Sequence, residues 1–139
     1  MRNFMDLRVW QEAHALTLKV YRLTKTLPRE ELYGLSSQIR RSCISIEANL
    51  AEGCGRRSDA ELRRFVQIAM GSASEPACHF LVARDLSLVA ASDYQESHIR
   101  LTRVRRMLTS LLQTIENANG SRHQAKSQPP RAHRQAAGE

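Results

Sequence analysis

The chain has 139 residues and a formal net charge of +7, with 21 Lys and Arg side chains against 14 Asp and Glu. This length suits one domain with a single hydrophobic core and excludes a multidomain enzyme. Hydrophobic residues make up 42% of the chain and aromatic residues only 5%, a composition that favours helices over sheets. The positive balance favours an anionic partner, although it is also common in proteins that bind nothing anionic.

Neither a membrane segment nor a metal site is expected. No apolar run approaches the ~18–20 residues that span a bilayer, and the N-terminal MRNFMDLRVW lacks the apolar core of a secretory signal. We therefore expect a cytoplasmic protein. Cys43, Cys54 and Cys78 form no CxxC motif and should be free thiols. Cys78-His79 has no second ligand pair at zinc spacing, so we expect no metal and no other cofactor.

Helix 1 is predicted from about Asp6, a plausible N-cap, to Thr26, shortly before Pro28. Its core stripe is Val9, Ala13, Leu16, Val20, Leu23 and Leu27. A second stripe lies beside it and consists of Leu7, Trp10, His14, Leu18 and Tyr21. Two stripes predict burial on two sides, once in a bundle core and once against another subunit.

Helix 2 is predicted to begin near Glu31 or Ser36 and to end at Glu52, with Gly53 as a left-handed C-terminal residue. Its core stripe is Leu35, Ile39, Cys43, Ile46 and Leu50.

Helix 3 begins at an S-x-x-E capping box, Ser58 to Glu61. Its apolar and small stripe is Leu62, Phe65, Ile68, Ala69, Ser72, His79, Val82, Ala83 and Leu86. Pro76 interrupts this stripe, and proline inside a regular helix costs about 3 kcal/mol. The sequence therefore predicts a kink near residues 71–76 or two shorter helices.

Helix 4 is predicted from about Asp93 to Asn117, where Asn119-Gly120 ends it. Its heptad seam is Tyr94, Leu101, Val104, Leu108, Leu111 and Ile115. Residues 118–139 offer no large apolar side chain to a core, so we expect a disordered basic tail after a domain of residues 1–117. The predicted fold is an all-α, up-down antiparallel four-helix bundle.

The segment NLAEGCGRRSDAE, residues 49–61, joins helices 2 and 3 and allows three interpretations. A phosphate cradle is disfavoured, because the segment has neither the G-x-x-x-x-G-K-[ST] of a P-loop nor a preceding strand. Glu52 and Glu75, with His79 one turn after Glu75, would suit acid–base catalysis. Structural ion-pair networks outnumber catalytic ones, however. We therefore interpret the segment as a helix-to-helix corner in a non-enzymatic protein.

Five polar residues of helices 2 and 3 are predicted to form a structural network. Buried charges in a bundle must be paired, and Asn49 and Glu52 lie at i and i+3 on one face of helix 2. The network would connect this face to neighbouring helices and support assembly. Its members are Gln38, Arg41, Asn49, Glu52 and Glu75.

Two groups of arginines are candidate nucleic-acid contacts, because the guanidinium of arginine is a better phosphate ligand than the ammonium of lysine. No interleaved aromatic residues mark a base-stacking surface, so binding should be mainly to phosphate, salt-sensitive and weakly sequence-specific. The alternative is a solvated basic face, balanced in part by Asp59, Glu61 and Glu96. The candidates are Arg56, Arg57, Arg63 and Arg64 at the corner and Arg100, Arg103 and Arg106 along helix 4.

Four stretches carry a family pattern: FMDLRVWQEA, LPREELYGLSSQIRRSCISIEANLAEGCGRRSDAE, FVQIAMGSASE and LVARDLS. The positions in register are Gln38, Arg40, Arg41, Ser45, Ile46, Asn49, Ala51, Glu52, Gly53, Arg56, Gly71, Ser72 and Glu75. Over roughly residues 4–115, the chain resembles the four-helix bundle family encoded in intervening sequences of bacterial 23S ribosomal RNA genes. Pro76, directly after GSASE, departs from the pattern, and the basic tail lies outside it.

The resemblance implies an up-down four-helix bundle that assembles into a ring-like homopentamer without enzymatic activity. Nucleic-acid binding is the role usually suggested for this family. In a related branch of the fold, a basic pentamer is the accessory protein of diversity-generating retroelements and binds the reverse transcriptase and its RNA. Two functions stay open. One is an oligomeric scaffold that binds nucleic acid, RNA more than DNA; the other is a protein-interaction adaptor, such as a reverse-transcriptase accessory subunit.

Overall fold

A computed structural model describes residues 2–127, and in this range the chain is helical throughout its regular structure, with no strand. The α-helices are α1 (Arg8–Thr24), α2 (Leu35–Cys54), α3 (Asp59–Ser72), α4 (Ser74–Asp85) and α5 (Ala91–Ser127). Short 3-10 helices at Phe4–Asp6 and Arg29–Glu31 precede α1 and α2. The predicted all-α four-helix bundle is confirmed, with α3 and α4 in succession forming its third arm.

The four arms surround one core. α1 contacts α2 and α5, and both α3 and α4 contact α2 and α5. Within the described residues α1 does not touch α3, and α2 does not touch α5, so these pairs lie diagonally across the bundle. Contacts between α1 and α2 join residues in opposite order: His14 meets Glu47, and Thr24 meets Arg40. The up-down order of the whole bundle stays a prediction, with which these contacts agree.

The core contains most of the predicted stripes of helices 1, 2 and 4. Only Leu23, Leu35, Tyr94 and Leu111 of those stripes are half-buried rather than buried. The second stripe of helix 1 lies outside the core, and its five residues are half-buried or, at Leu18, exposed. Its predicted burial against another subunit stays a prediction.

The stripe predicted for helix 3 is partly wrong, since Ile68, Val82 and Leu86 are exposed. The buried residues of α3 and α4 are Leu62, Val66, Ala69, Ala73, Pro76, Phe80 and Ala83. They follow each other in steps of four and three, as a bundle seam requires. Two stripes overlap in this part of the sequence, and the one with the smaller side chains faces the core.

Ala73 separates α3 from α4, within the segment where Pro76 was expected to disturb the helix. The Ala73 amide still donates to the Ala69 carbonyl at 3.0 Å. The division places Pro76 in the first turn of α4. Amides of a first turn have no acceptor within their own helix, so proline loses no hydrogen bond there.

The helix ends show where local signals failed. Asp6 belongs to the 3-10 helix Phe4–Asp6, which Asn3 caps through Met5 N–H at 3.1 Å, and α1 begins after it. Gly53 lies inside α2, and no described glycine has a positive φ. The prediction of a left-handed C-terminal glycine is therefore wrong. At Ser58 one half of the predicted capping box is present, because the Ser58 hydroxyl accepts the Glu61 N–H at 3.2 Å. The reciprocal bond from the Ser58 N–H to the Glu61 carboxylate is not formed in the described residues.

α5 continues past its predicted end at Asn117 and runs through Gly120 to Ser127. The extension is tied to the beginning of α3, where Arg122 Nη1 lies 2.9 Å from Asp59 Oδ2. Gly120 costs a helix interior only about 1 kcal/mol, so an Asn-Gly pair is a weak stop signal. The disorder predicted for the tail is thus wrong for residues 118–127, while residues 128–139 lie outside the described range.

Ser97 is a seam residue of α5 that the apolar pattern passed over. It is 0% exposed, and its hydroxyl has no hydrogen-bond partner in the described structure. A buried polar group without a partner costs about 1–3 kcal/mol. We expect Ser97→Ala to raise the free energy of unfolding by about 1–2 kcal/mol, measured by urea denaturation.

Ser42→Ala is the matched control for Ser97→Ala. Ser42 is also buried in a helix, at 1% exposure, but its hydroxyl donates to the Ile39 carbonyl at 3.0 Å. Both variants gain the same helix propensity, so the difference between them isolates the unsatisfied hydroxyl. Equal effects of the two substitutions would contradict the interpretation.

Candidate nucleic-acid interface

The corner between α2 and α3 carries four of the candidate arginines, and two of them are held by the chain itself. Arg56 Nη2 donates to Glu52 Oε1 at 2.7 Å, and its guanidinium lies 5.1 Å from the centre of the Phe65 ring. Arg63 donates twice to Glu116 Oε1, from Nε at 3.1 Å and from Nη2 at 3.0 Å. These two charges are largely balanced before any ligand arrives.

The other two corner arginines are less engaged. The guanidinium of Arg64 lies 5.7 Å from the centre of the same Phe65 ring, and Arg57 is exposed. Neither has a carboxylate within 4 Å among residues 2–127. The corner therefore offers two available cations rather than four.

The arginines of α5 form what we call the α5 arginine row, Arg100, Arg103 and Arg106. The row lies along three successive surface grooves with volumes of about 460, 360 and 320 Å³. Arg103 lines the first two grooves and Arg106 the last two. The three side chains project at intervals of three residues, so they follow one side of the helix.

The positive charge of the row exceeds the negative charge around it. Arg106 has no carboxylate within 4 Å in the described range, and Arg103 Nη1 lies 3.6 Å from Glu12 Oε2. Arg100 shares Glu96 with Lys19, whose Nζ is 2.8 Å from Oε2. The hydrogen bond and the charge of Lys19, together with Arg100, lower the pKa of Glu96, which therefore stays ionised and neutralises one of two cations.

Arg8 is a neighbour of the row that sequence reasoning missed. It lies in the first turn of α1 and lines the third groove together with Arg106. Met107 and Leu111 of α5 give this groove an apolar floor. The two arginines are far apart in sequence, and only the packing of α1 against α5 brings them together, so no local pattern could have indicated the pair.

The five residues of the predicted polar network are not joined within the chain. Gln38, Arg41, Glu52 and Glu75 are exposed. Asn49 is half-buried, but its amide donates to Ser45 of its own helix, to the carbonyl at 2.7 Å and to the hydroxyl at 3.2 Å. The bond that does cross to α3 is between the hydroxyls of Ser45 and Ser72, at 3.0 Å.

This placement corrects the expectation that the network residues are buried and bonded between helices. α2 turns its four network residues away from the core, because Ile39, Cys43, Ile46 and Leu50 occupy its inner side. Glu75 is exposed on α4. We refer to Gln38, Arg41, Asn49, Glu52 and Glu75 from here on as the polar block. Their contribution to assembly stays a prediction.

Residues 2–127 contain neither a metal-binding group nor a membrane-spanning helix. No three His, Cys, Asp or Glu side chains converge there as metal ligands would. No helix within the same range combines the length and the hydropathy that crossing a membrane requires.

The fold and the surface define a class of protein, an all-helical bundle whose accessible positive charge is carried mainly by arginine. The family model described as 23S rRNA-intervening sequence protein matches residues 5–110. The chain belongs to this family. No curated protein matches the sequence.

A solved structure has the same fold. It is a protein of unknown function from the S23 ribosomal protein family of Bacteroides thetaiotaomicron, with a TM-score of 0.70 and 24% sequence identity. The alignment covers 76% of this chain and 95% of that chain. At this identity the likeness establishes the fold alone.

Proposed function

We propose that the protein is a non-enzymatic homo-oligomeric scaffold that binds nucleic acid, RNA in preference to DNA, with little sequence specificity. The observation that carries this proposal is the α5 arginine row, in which Arg103 and Arg106 each line two of three successive grooves. A phosphate backbone also presents charge at regular intervals. Arginines in a row can contact successive phosphates without reading bases.

The charge of the whole chain supports the same conclusion. With a net charge of +7, the protein attracts a polyanion over distances up to about a Debye length, roughly 8 Å at physiological salt. At closer range the guanidinium groups form charge-assisted hydrogen bonds to phosphate oxygens. Arg57 and Arg64 at the corner would add contacts, while the ion pairs of Arg56 and Arg63 reduce their contribution.

Replacement of Arg106 tests the proposal. We expect Arg106→Glu to weaken binding of a short single-stranded RNA by about tenfold or more at low salt, because a hydrogen bond to a charged group contributes about 1.5–3 kcal/mol. The slope of log affinity against log salt should fall by about 0.7 for each phosphate that the variant no longer binds. Fluorescence anisotropy of the full chain across a salt series measures both quantities.

Lys126→Glu is the matched control for Arg106→Glu. It changes the net charge equally on the same helix, at an exposed position about 30 Å farther along the axis. Equal losses of affinity in the two variants would contradict a localised surface, and an unchanged affinity of Arg106→Glu would contradict the proposal itself. Single-stranded DNA in the same assay tests the preference for RNA.

The homo-oligomeric part of the proposal is supported by a surface without an internal partner. Ile68, Val82 and Leu86 are large apolar side chains left exposed on the third arm. Four residues of the polar block are exposed on α2 and α4. A second copy could supply hydrogen bonds to Gln38, Arg41 and Glu75, whose side chains have none within residues 2–127. The family resemblance implies a homopentamer. Light scattering on the samples used for anisotropy gives the particle mass.

The alternative function is a protein-interaction adaptor, such as the accessory subunit of a reverse transcriptase. The same exposed Ile68, Val82 and Leu86 favour it, since a protein partner would also cover them. Genomic neighbourhood separates the alternatives. A nearby reverse transcriptase with a variable repeat favours the adaptor, and a location inside a ribosomal RNA gene favours the scaffold.

A further inference from the structure

A second basic groove lies on the side of the bundle away from the α5 arginine row. It has a volume of about 630 Å³ and runs between the end of α1, the turn before α2 and the first turns of α2. Its lining is Tyr21, Leu32, Tyr33, Ser37, Arg40, Arg41, Ile44 and Ser45. No acidic side chain lines it, whereas two arginines, two tyrosines and two serines do. We call it the Tyr33 groove.

Arg40 is held in position from two sides without a carboxylate. Its Nε donates to Thr24 Oγ1 at 2.7 Å, and the guanidinium lies 4.8 Å from the centre of the Tyr21 ring. The Thr24 hydroxyl donates its own hydrogen to the Val20 carbonyl at 2.7 Å, so its lone pairs face Arg40. The two terminal amino groups of Arg40 make no hydrogen bond to any residue in the range 2–127. Arg40 is therefore a pre-oriented cation whose terminal amino groups are available to donate hydrogen bonds to a ligand.

Tyr33 provides the other half of the groove. Its side chain is 91% exposed, which is unusual for an aromatic ring. Glu31, two residues before Tyr33, is occupied elsewhere, because its Oε2 accepts the Leu35 N–H at 3.3 Å at the beginning of α2. Neither face of the Tyr33 ring is needed for the fold, which leaves an aromatic platform beside an uncompensated guanidinium.

We propose that the Tyr33 groove binds one unpaired nucleotide of single-stranded RNA, with the base stacked on Tyr33 and its phosphate on Arg40. An aromatic ring stacks on any base, and a guanidinium binds the phosphate next to it. A base inside a duplex cannot offer its face to the ring, so the groove selects unpaired RNA. Arg41 also belongs to the polar block, and the site therefore depends on Tyr33 and Arg40. The inference rests on the proposed RNA-binding function.

The groove adds to the α5 arginine row a contact of another kind. The row binds phosphates and treats single strands and duplexes alike. The Tyr33 groove distinguishes them, because it requires a free base face. α1 lies between the two surfaces, since it contacts both α2 and α5 while these helices do not touch within the described residues. A single strand bound at both places would have to cross either α1 or the third arm, because α3 and α4 also contact both α2 and α5.

The test compares single-stranded RNA with an RNA duplex of equal phosphate number, by anisotropy with the full chain. Tyr33→Ala should weaken binding of the single strand by about fivefold or more, the equivalent of stacking one base. Binding of the duplex should change by less than about twofold. Tyr33→Phe keeps the ring and should restore the wild-type affinity. Tyr33 is almost fully exposed, so these substitutions leave the core intact.

A photocrosslinking experiment locates the bound RNA directly and complements the affinity measurements. A single strand containing 4-thiouridine should crosslink under ultraviolet light to the peptide that contains Tyr33, and Arg40→Gln should reduce the yield. The absence of a crosslink to the Tyr33 peptide, or single-strand affinity within about twofold of wild type in Tyr33→Ala, overturns the groove proposal but not the proposed function. A changed particle mass in Tyr33→Ala, with equally weakened binding of both RNAs, also overturns it and assigns the groove to a second copy. A wild-type chain that binds neither RNA overturns this proposal and the proposed function together.

Discussion

A methyl group added at Gly53 should destabilise the bundle more than its size suggests. Gly53 lies inside α2, at a point where α3 approaches closely. A Cβ at this position would be 2.9 Å from Phe65 Cβ and 3.1 Å from Leu62 Cδ1. The first of these atoms is next to the backbone of α3 and cannot move unless the helix moves. Overpacking of this kind costs about 1–3 kcal/mol, of which alanine recovers up to about 1 kcal/mol in helix propensity.

Gly53→Ala should thus lower the free energy of unfolding by about 1–2 kcal/mol, and Gly53→Val by the upper end of the ~1–3 kcal/mol range or more. Total stabilities of about 5–15 kcal/mol make this a large change. Thermal unfolding monitored by circular dichroism measures it. The RNA affinity at a temperature where the variant is folded should be unchanged, because Gly53 is buried and contacts no arginine of the α5 arginine row.

Gly71→Ala is the matched control for Gly53→Ala. Gly71 is exposed near the end of α3, and an added Cβ would meet no atom within 4 Å. The substitution should raise stability by up to about 1 kcal/mol through helix propensity alone. If Gly53→Ala raised stability as Gly71→Ala does, the inference that α2 and α3 approach closely at Gly53 would be wrong.

Gly53 also shows what sequence reasoning could and could not reach. A glycine near the end of an apolar helical pattern usually ends the helix, and nothing local distinguishes it from a glycine that allows a neighbouring helix to approach. The distinction depends on Phe65, which is on another element. The stop signal Asn119-Gly120 failed for a similar reason, since the contact between Arg122 and Asp59 joins distant parts of the chain.

Helical spacing was reliable where a single stripe ran along a helix, as in α2 and α5. In α3 and α4 two stripes overlap, and the larger side chains Ile68 and Val82 indicated the wrong one. Ala69, which the prediction included, and Ala73, which it omitted, occupy the inner side. The side that faces the core is a property of the neighbouring helices, so the pattern could predict the arm but not its rotation.

The features of the candidate site also divide into those that the sequence could predict and those that it could not. The sequence identified Arg100, Arg103 and Arg106 as one side of a helix, because their spacing is local. It could not identify which corner arginines are neutralised, since the partner of Arg63 is Glu116 on another helix. Nor could it combine Tyr33 with Arg40, whose orientation depends on Thr24 and Tyr21 of α1.

Alkaline pH should destabilise the protein through Cys43. This thiol is 1% exposed, and burial, with a smaller effect from the charge of Glu47, raises its pKa from 9.0 to about 12. The folded state therefore retains a proton that the unfolded chain releases above pH 9.0. Stability from the neutral thiol is complete below that pH and is lost as the pH rises towards 12, by about 1.4 kcal/mol per pH unit and up to about 4 kcal/mol in all.

The measurement is the free energy of urea unfolding between pH 8 and pH 10.5, with reductant present. The wild type should lose about 2 kcal/mol over this range from Cys43. Cys43→Ala should lose less, even though its cavity lowers stability at every pH. Part of the slope should remain, because burial also raises the pKa of Cys54 while Arg2 opposes it.

Cys78→Ala is the matched control, since it removes a thiol that is exposed in the folded state. Its pH slope should equal that of the wild type, because the substitution leaves the buried Cys43 thiol in place. Apart from Cys43 and Cys78, the three proteins have identical side chains. Only the difference in slope therefore measures Cys43. Parallel slopes for Cys43→Ala and the wild type would show that the thiol ionises in the folded core, which requires water to reach the interior between α1 and α2.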